Sequence, residues 1–298
     1  MLEAKGAEKA LGLQTNFSEE EGLWELSLNG LKVLEYVYRV PEDPNPSFRL
    51  VKTAGGQSIT LYHPWDHPWH TGIFFSWKYI NGLNFWESMY HGKKNVAVTD
   101  SFLPLENDAG FRQTLSYRSY EGETLVKESR VIRIEQESEG YLIHWNGSFT
   151  AAGNSSITLD RTEYTENTPW GGYAGLSCRF DRNFLGPVIT TDRGNYTAEE
   201  AYAKPFKWCD YSGKLDGYVE EKWAGVCLMD HFSNLRHPSP MLTYDYKDLQ
   251  FLHAAFLLEK PYVLEKGETL ELNYTFYVHD GKAESNLLNS IWEKACNK

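Results

Sequence analysis

The sequence predicts an all-β protein, built as one large antiparallel β super-sandwich with few short helices. Three observations carry that expectation. Apolar residues alternate with a period of two along much of the chain, turn signals recur at short intervals, and helical spacing is rare. The 10 Trp, 19 Tyr and 15 Phe make up 15% of the 298 residues, and such side chains suit pleated, half-buried surfaces. They also offer flat faces with a polar handle, which suits a groove that stacks sugar rings. A domain of about 300 residues buries roughly three quarters of its unfolded surface, so no disulfide or metal staple is needed.

The first twenty or so residues are expected to form a first strand and a loose end. Leu34, Tyr36 and Tyr38 then alternate with Glu35, Val37 and Arg39. Pro41 to Pro46 reads as a surface loop. Ile73, Phe75 and Trp77 alternate with Phe74, Ser76 and Lys78, and Asn81-Gly82 supplies a hairpin turn. Val131, Ile132 and Ile134 mark another strand. Tyr141, Ile143 and Trp145 form an apolar face opposite Leu142, His144 and Asn146. Residues 152–156 read as a loop, and Ala198 to Tyr202 as a single helical turn. Leu270, Leu272, Tyr274, Phe276 and Val278 alternate with Glu271, Asn273, Thr275 and Tyr277. The chain closes with a short helix at 284–296, where Leu287, Leu288, Ile291, Trp292 and Ala295 recur at three- and four-residue spacing. Without repeats or a low-complexity linker, residues 1–298 read as a single domain.

Charge and cysteine usage narrow the partners. The net charge is −12, which repels phosphate backbones and disfavours nucleic acid. No run of 18 apolar residues occurs, which predicts no membrane span, and the N-terminal residues do not read as a signal peptide. Cys178, Cys209, Cys227 and Cys296 show no C-x-x-C spacing, as expected of reduced thiols in a cytoplasmic protein.

Chemistry concentrates in four loop-like patches. The first runs from Tyr62 to Gly72 and holds His63, Asp66, His67 and His70 with two stiffening prolines. Histidine exchanges protons near neutral pH, so this loop is the leading acid–base candidate. The same four residues are the conditional ligands of a divalent metal, although their spacing matches no standard zinc pattern. The second patch, Ile80 to Glu87, pairs a sugar platform, Trp86, with an acid or base, Glu87. The third, Pro169 to Arg179, places three glycines between Trp170 and Leu176, with Tyr173 and Arg179 as ligand-contacting candidates. The fourth has two parts. Trp208 and Asp210 lie in one, and Asp230, His231, Asn234, Arg236 and His237 crowd the other. A Gly-x-Ser-x-Gly elbow, a phosphate loop and a dinucleotide fingerprint are all absent, so no nucleotide or flavin cofactor is expected.

Together these patches resemble a bacterial family labelled "PmoA-like" or methane oxygenase. The resemblance spans about residues 25–282. It rests on Asp66-His67-Pro-Trp-His70-Thr-Gly72, Asn81-Gly82 with Phe85-Trp86, Trp170-Gly-Gly-Tyr-Ala-Gly-Leu with Arg179, Trp208-x-Asp-Tyr-Ser-Gly213, Asn234-x-Arg-His-Pro238, and His279-Asp280-Gly281. The family reads His-His-Arg-Gly where this chain has Trp69-His70-Thr71-Gly72, so substrate or activity can differ here. The resemblance implies a galactose mutarotase-like super-sandwich that works in carbohydrate catabolism, including on keto sugars. Literal methane oxidation would require bound iron or copper.

The resulting expectation is a carbohydrate-active enzyme with a saccharide or glycoside on its concave sheet face. His/carboxylate chemistry would cleave a glycoside or keto-glycoside by elimination or hydrolysis. His67, His70, Glu87, Asp210 and His237 are the catalytic candidates. His63, Trp86, Tyr173, Arg179, Trp208, Asn234 and Arg236 are the substrate-binding candidates. An aldose 1-epimerase and a non-catalytic sugar-binding protein are the alternatives. No cofactor is required beyond the conditional metal, and a homo-oligomer is compatible with the sequence.

Overall fold

A computed structural model describes residues 12–39, 45–90, 92 and 94–297. Residues 1–11 and most of the Pro41–Pro46 loop lie outside the described residues. The chain is 54% strand and 6% helix, so the all-β expectation with few short helices holds.

Among the described residues two nine-stranded sheets and one four-stranded sheet form, and every strand pairing there is antiparallel. The first sheet runs from Leu13–Ser18 at one edge, through Ile73–Ser76, Gly175–Arg179 and Leu249–Ala254, to Pro240–Tyr246 and Lys204–Pro205 at the other. In the second sheet, Thr269–Asp280 pairs between Trp223–Asp230 and Gly140–Ala151. The small sheet joins Tyr79–Ile80 to Ile157–Asp160. Its hairpin turns at Asn81 (φ 49°) and Gly82 (φ 77°), the two left-handed positions that an Asn-Gly turn serves.

Alternation decides which side chains meet between the two large sheets. Leu270, Leu272, Tyr274, Phe276 and Val278 all enter the main core, as do Tyr141, Ile143 and Trp145. Rings from the two sheets meet there: Trp24 with Phe111 at 5.3 Å, Phe48 with Trp145 at 6.2 Å, and Phe75 with Phe149 at 4.9 Å. A polar knot lies buried beside them. Arg130 donates from Nε and Nη2 to the two Glu128 oxygens (2.6 and 2.9 Å) and from Nη1 to the Tyr36 hydroxyl (2.7 Å).

The C-terminal helix, Ser285–Ala295, packs on the outer face of the second sheet. Leu288, Ile291 and Trp292 cover Leu142, Trp208, Met229 and Tyr277 there. A single-turn helix, Ala198–Ala201, opens on a capping box in which Thr197 and Glu200 satisfy each other's backbone N–H groups.

Candidate functional site

The outer face of the first sheet is also covered. Ile73 and Phe75 enter the main core, whereas Phe74 points the other way and packs with Trp86 and Phe251. Three loops cross above this face, and a cavity of about 440 Å³ lies among them. Its acid–base and charged lining comprises His67, His70, Lys78 and Glu87, and its aromatic lining includes Trp86, Trp170, Tyr173, Tyr244 and Phe251.

The histidine loop is held by its own turns. The His67 N–H donates to Pro64 O (3.1 Å) and the His70 N–H to His67 O (2.9 Å), with Pro68 in the turn position its fixed φ suits. The His63 N–H closes the loop on His70 O (3.0 Å). His67 Nδ1 lies 2.7 Å from Asp66 Oδ2. Arg179 Nη2 donates to the same oxygen (2.8 Å), and Arg182 donates to Oδ1. Burial works to raise the Asp66 carboxyl, but the bond with His67 and the charge of Arg179 outweigh it and hold it below the usual range. With Nδ1 engaged by a carboxylate, Nε2 is the ring nitrogen of His67 that Asp66 leaves for other contacts.

The second loop carries a carboxylate with three donors. Lys78 Nζ donates to both Glu87 oxygens (2.7 and 2.6 Å), Asn84 Nδ2 to Oε2 (2.7 Å) and Tyr173 Oη to Oε1 (3.1 Å). Asn84 Oδ1 in turn accepts from the Trp86 and Glu87 N–H groups (2.9 and 3.1 Å), a side-chain turn that fixes both residues. Lys78 Nζ also lies 4.9 Å from the Tyr173 ring centroid. The third loop brings Tyr173 in through Gly172. At Gly172 φ is +94°, and a Cβ would stand 2.2 Å from Leu258 Cδ1. Burial, then the Glu87 charge, pushes the Tyr173 phenol up.

Beneath the loops are two neutral imidazoles. His70 stacks between His67 (4.8 Å) and Phe251 (4.7 Å), and its Nδ1 is buried without a hydrogen-bond partner. Desolvation, reinforced by the neighbouring His67 ring and the charge of Arg179, drives its proton affinity well below the usual value. His253 Nε2 accepts from the Ala174 N–H (3.1 Å), which leaves Nδ1–H to donate to Ser177 Oγ (2.8 Å). Burial lowers its pKa to about 3.

That displacement has a measurable consequence. The unfolded His253 takes up a proton below about pH 6.5, whereas the folded one resists down to about 3, so its contribution is present above 6.5 and lost as pH falls through that window. Replacing His253→Gln preserves an acceptor and a donor without a titrating ring. The stability advantage of wild type over this variant, from urea melts, is expected to shrink by about 1.4 kcal/mol per pH unit between 6 and 4. A pH-independent difference would sink the linkage.

The sequence-predicted residues divide. His67, His70, Trp86, Glu87 and Tyr173 share the cavity. Arg179 lies under the Asp66 carboxylate, also donates to Asp248 O (2.5 Å) and does not line the cavity, so it braces the histidine loop from below. His63 points Nδ1 at Pro68 O, with the Tyr90 hydroxyl nearby, and does not line the cavity. The fourth patch is not at this site. Trp208 is buried under the C-terminal helix and donates to Asn289 Oδ1 (3.0 Å), because its side chain leaves the outer face of the other sheet. Asp210 is buried between Ser212 Oγ (2.7 Å) and His279 Nε2 (2.9 Å). His237 Nδ1 contacts Asp230 (3.0 Å). Asn234 donates to Asp230 (2.7 Å) and Asn273 O (2.6 Å), and Arg236 ties down the carbonyls of Phe256, Lys260 and Pro261. Among the described residues no group of three or more His, Cys, Asp or Glu is disposed to hold a metal. In the conditional set, Asp66 is taken by two arginines and His63 by a carbonyl.

Lys78 and His253 escaped the sequence reading. Each is the one ionisable residue in an otherwise uncharged, largely apolar run, Phe74-Phe-Ser-Trp-Lys78-Tyr-Ile80 and Phe251-Leu-His253-Ala-Ala-Phe256. That isolation is the signal that could have found them.

Fold and cavity define a class: an antiparallel β-sandwich with an aromatic-walled pocket of acid–base groups on the outer face of one sheet. The chain belongs to a family of unknown function, DUF6807, whose model matches residues 24–293. The methane oxygenase label is no part of that family's description. No curated protein matches the chain. Solved structures are similar at low identity. The Slr1438 protein from Synechocystis sp. PCC 6803 has a TM-score of 0.43 and 11% identity, covering 94% of this chain and 99% of its own. A galactose mutarotase related enzyme from Lactobacillus acidophilus has a TM-score of 0.42 and 8% identity, covering 90% and 97%. A polysaccharide lyase has a TM-score of 0.33 and 13% identity, covering 93% of this chain and 34% of its own. No helix is long and apolar enough to cross a membrane among the described residues.

Proposed function

We propose that this chain is a carbohydrate-active enzyme that binds a saccharide in the His67–Glu87 pocket and cleaves a glycoside or keto-glycoside by acid–base chemistry. The observation that carries the reading is convergence. An Asp66-oriented imidazole and a Lys78–Glu87–Tyr173 cluster open into one cavity whose walls are Trp86, Trp170, Tyr244 and Phe251. Aromatic faces suit the C–H faces of a pyranose, and the polar groups suit its hydroxyls and carbonyl.

Elimination from a keto-glycoside uses this set as follows. His67 Nε2 takes the acidic proton on the carbon next to the ketone. The electron pair forms a C=C bond as the glycosidic C–O bond breaks, and the departing oxygen takes the Tyr173 phenol proton. Lys78 steadies charge on the ketone oxygen during the step. Glu87, engaged by three donors, orients Lys78 and Tyr173 and is not itself the acid. His70 is cast as a neutral spacer that fixes the His67 ring by stacking.

The test is incubation with aryl glycosides and their keto forms, followed by mass spectrometry. Elimination is expected to release the aglycone and leave an enone, with no water added. Hydrolysis would add one water to the sugar. A saccharide that binds and is recovered intact would overturn catalysis in favour of sugar binding alone. Polarimetry on free aldoses checks the epimerase alternative, which accelerated anomer exchange without bond cleavage would favour.

A further inference from the structure

The pocket's aromatic lining does not stop at its edge. Strands Pro240–Tyr246 and Leu249–Ala254 pair as a hairpin, with Tyr244 opposite Phe251 and Tyr246 opposite Leu249. Residues two apart on a strand share a face, so Tyr244 and Tyr246 point the same way. Tyr244, Leu249 and Phe251 line the cavity, whereas Tyr246 lies beyond it and is 65% exposed. The ring contacts continue outward: Phe251 to Tyr244 at 6.0 Å, Tyr244 to Tyr246 at 5.8 Å, Tyr244 to Tyr202 at 5.1 Å and Tyr202 to Tyr164 at 6.3 Å. Tyr164 is 43% exposed, and Trp170, at the mouth on the same side, is 50% exposed.

This surface is braced. The Tyr202 hydroxyl donates to Pro169 O (2.8 Å) and meets the Tyr244 hydroxyl (2.8 Å), so the hairpin and the Trp170 loop are tied together. A rigid row of phenols and an indole that begins inside a pocket and ends in solvent is a pre-ordered ligand surface. Single exposed aromatics are ordinary on proteins, but contiguity with a pocket is not.

We propose that the site takes at least two sugar rings, the first in the His67–Glu87 pocket and the second on the Tyr164–Tyr202–Tyr246 surface beside Trp170. The proposal rests on the reading that the pocket binds a saccharide, and it makes the substrate an oligosaccharide or a glycoside of another sugar. The tyrosines favour a sugar over a purely apolar group, since each pairs a flat face with a hydroxyl.

Calorimetric titration tests this with cellobiose, maltose and lactose against the methyl glycosides of their component sugars. At least one disaccharide is expected to bind about tenfold tighter than the matching methyl glycoside. Tyr246→Ala and Tyr164→Ala, both exposed and outside the cavity lining, are expected to erase that advantage and leave methyl glycoside binding within about twofold. A methyl glycoside that binds as tightly as every disaccharide would overturn the extended site and leave the pocket reading standing. No binding by either class would remove both. An advantage shown by phenyl glycosides and by no disaccharide would overturn the second sugar in favour of an aryl group.

Discussion

Replacing His67→Gln is expected to lower kcat by about 10²–10⁴-fold, the usual contribution of a positioned general base. The loss should fall on kcat more than on KM, because the imidazole is asked to act only as the proton moves. Asp66→Asn is expected to give a smaller loss in the same direction. It is nearly isosteric but removes the carboxylate that fixes which His67 nitrogen faces the cavity and that pairs with Arg179 and Arg182. His70→Phe is the control. His70 already stacks on Phe251 and sits where its charged form is strongly disfavoured, so a phenyl ring should preserve the stack and most of the rate. A full loss in His70→Phe with a mild one in His67→Gln would transfer the base to His70. Near-wild-type rates in both would remove the histidine loop from the reaction.

The strands were the legible part of this fold, because period-two alternation is a local property of the chain. Leu270 to Val278 and Tyr141 to Trp145 turned their apolar faces into the core as their spacing implies. The helix at Ser285–Ala295 lies within the predicted 284–296. The site was legible only in part. Polar density on a short stretch says that a segment is unusual, but not which face of which sheet it joins. The loops around His67, Glu87 and Tyr173 were therefore found by composition, and so were Asp210, Asn234 and His237, which serve other neighbourhoods. Asp210 pairs with His279, 69 positions later, and no local pattern announces that meeting. Lys78 keeps the parity of Phe74 and Ser76 in its alternation, and the face it joins is roofed by loops, so its ammonium is buried on a carboxylate that parity alone does not point to.

Glu128→Ala is expected to destabilise the protein by about 3–5 kcal/mol, measured from urea melts at neutral pH. Glu128 and Arg130 are both essentially inaccessible to water. Arg130 is held by the paired carboxylate oxygens, the Tyr36 hydroxyl and the Trp145 ring 4.3 Å away, while the Tyr117 hydroxyl donates to Glu128 (2.7 Å). Burial drives the Tyr36 phenol up to about 12 against the pull of Arg130, so Tyr36 stays neutral and cannot replace the missing negative charge. Removing Glu128 therefore leaves an unpaired buried cation and an unsatisfied hydroxyl. The double variant Glu128→Leu with Arg130→Met is expected to recover most of the loss, since an apolar pair of similar volume costs no desolvation. If the single variant lost under about 1 kcal/mol, the pair would be contributing nothing net. The pocket should report this change only through the folded fraction. Tyr36 lies on the first sheet and Glu128 on the second, so the knot fixes how the sheets face each other, whereas His67, Lys78 and Tyr173 sit on the far side of the first sheet. Activity per folded molecule is thus expected to stay near wild type in Glu128→Ala, and a fall in it would mean that the sheet-to-sheet packing sets the geometry of the roof loops.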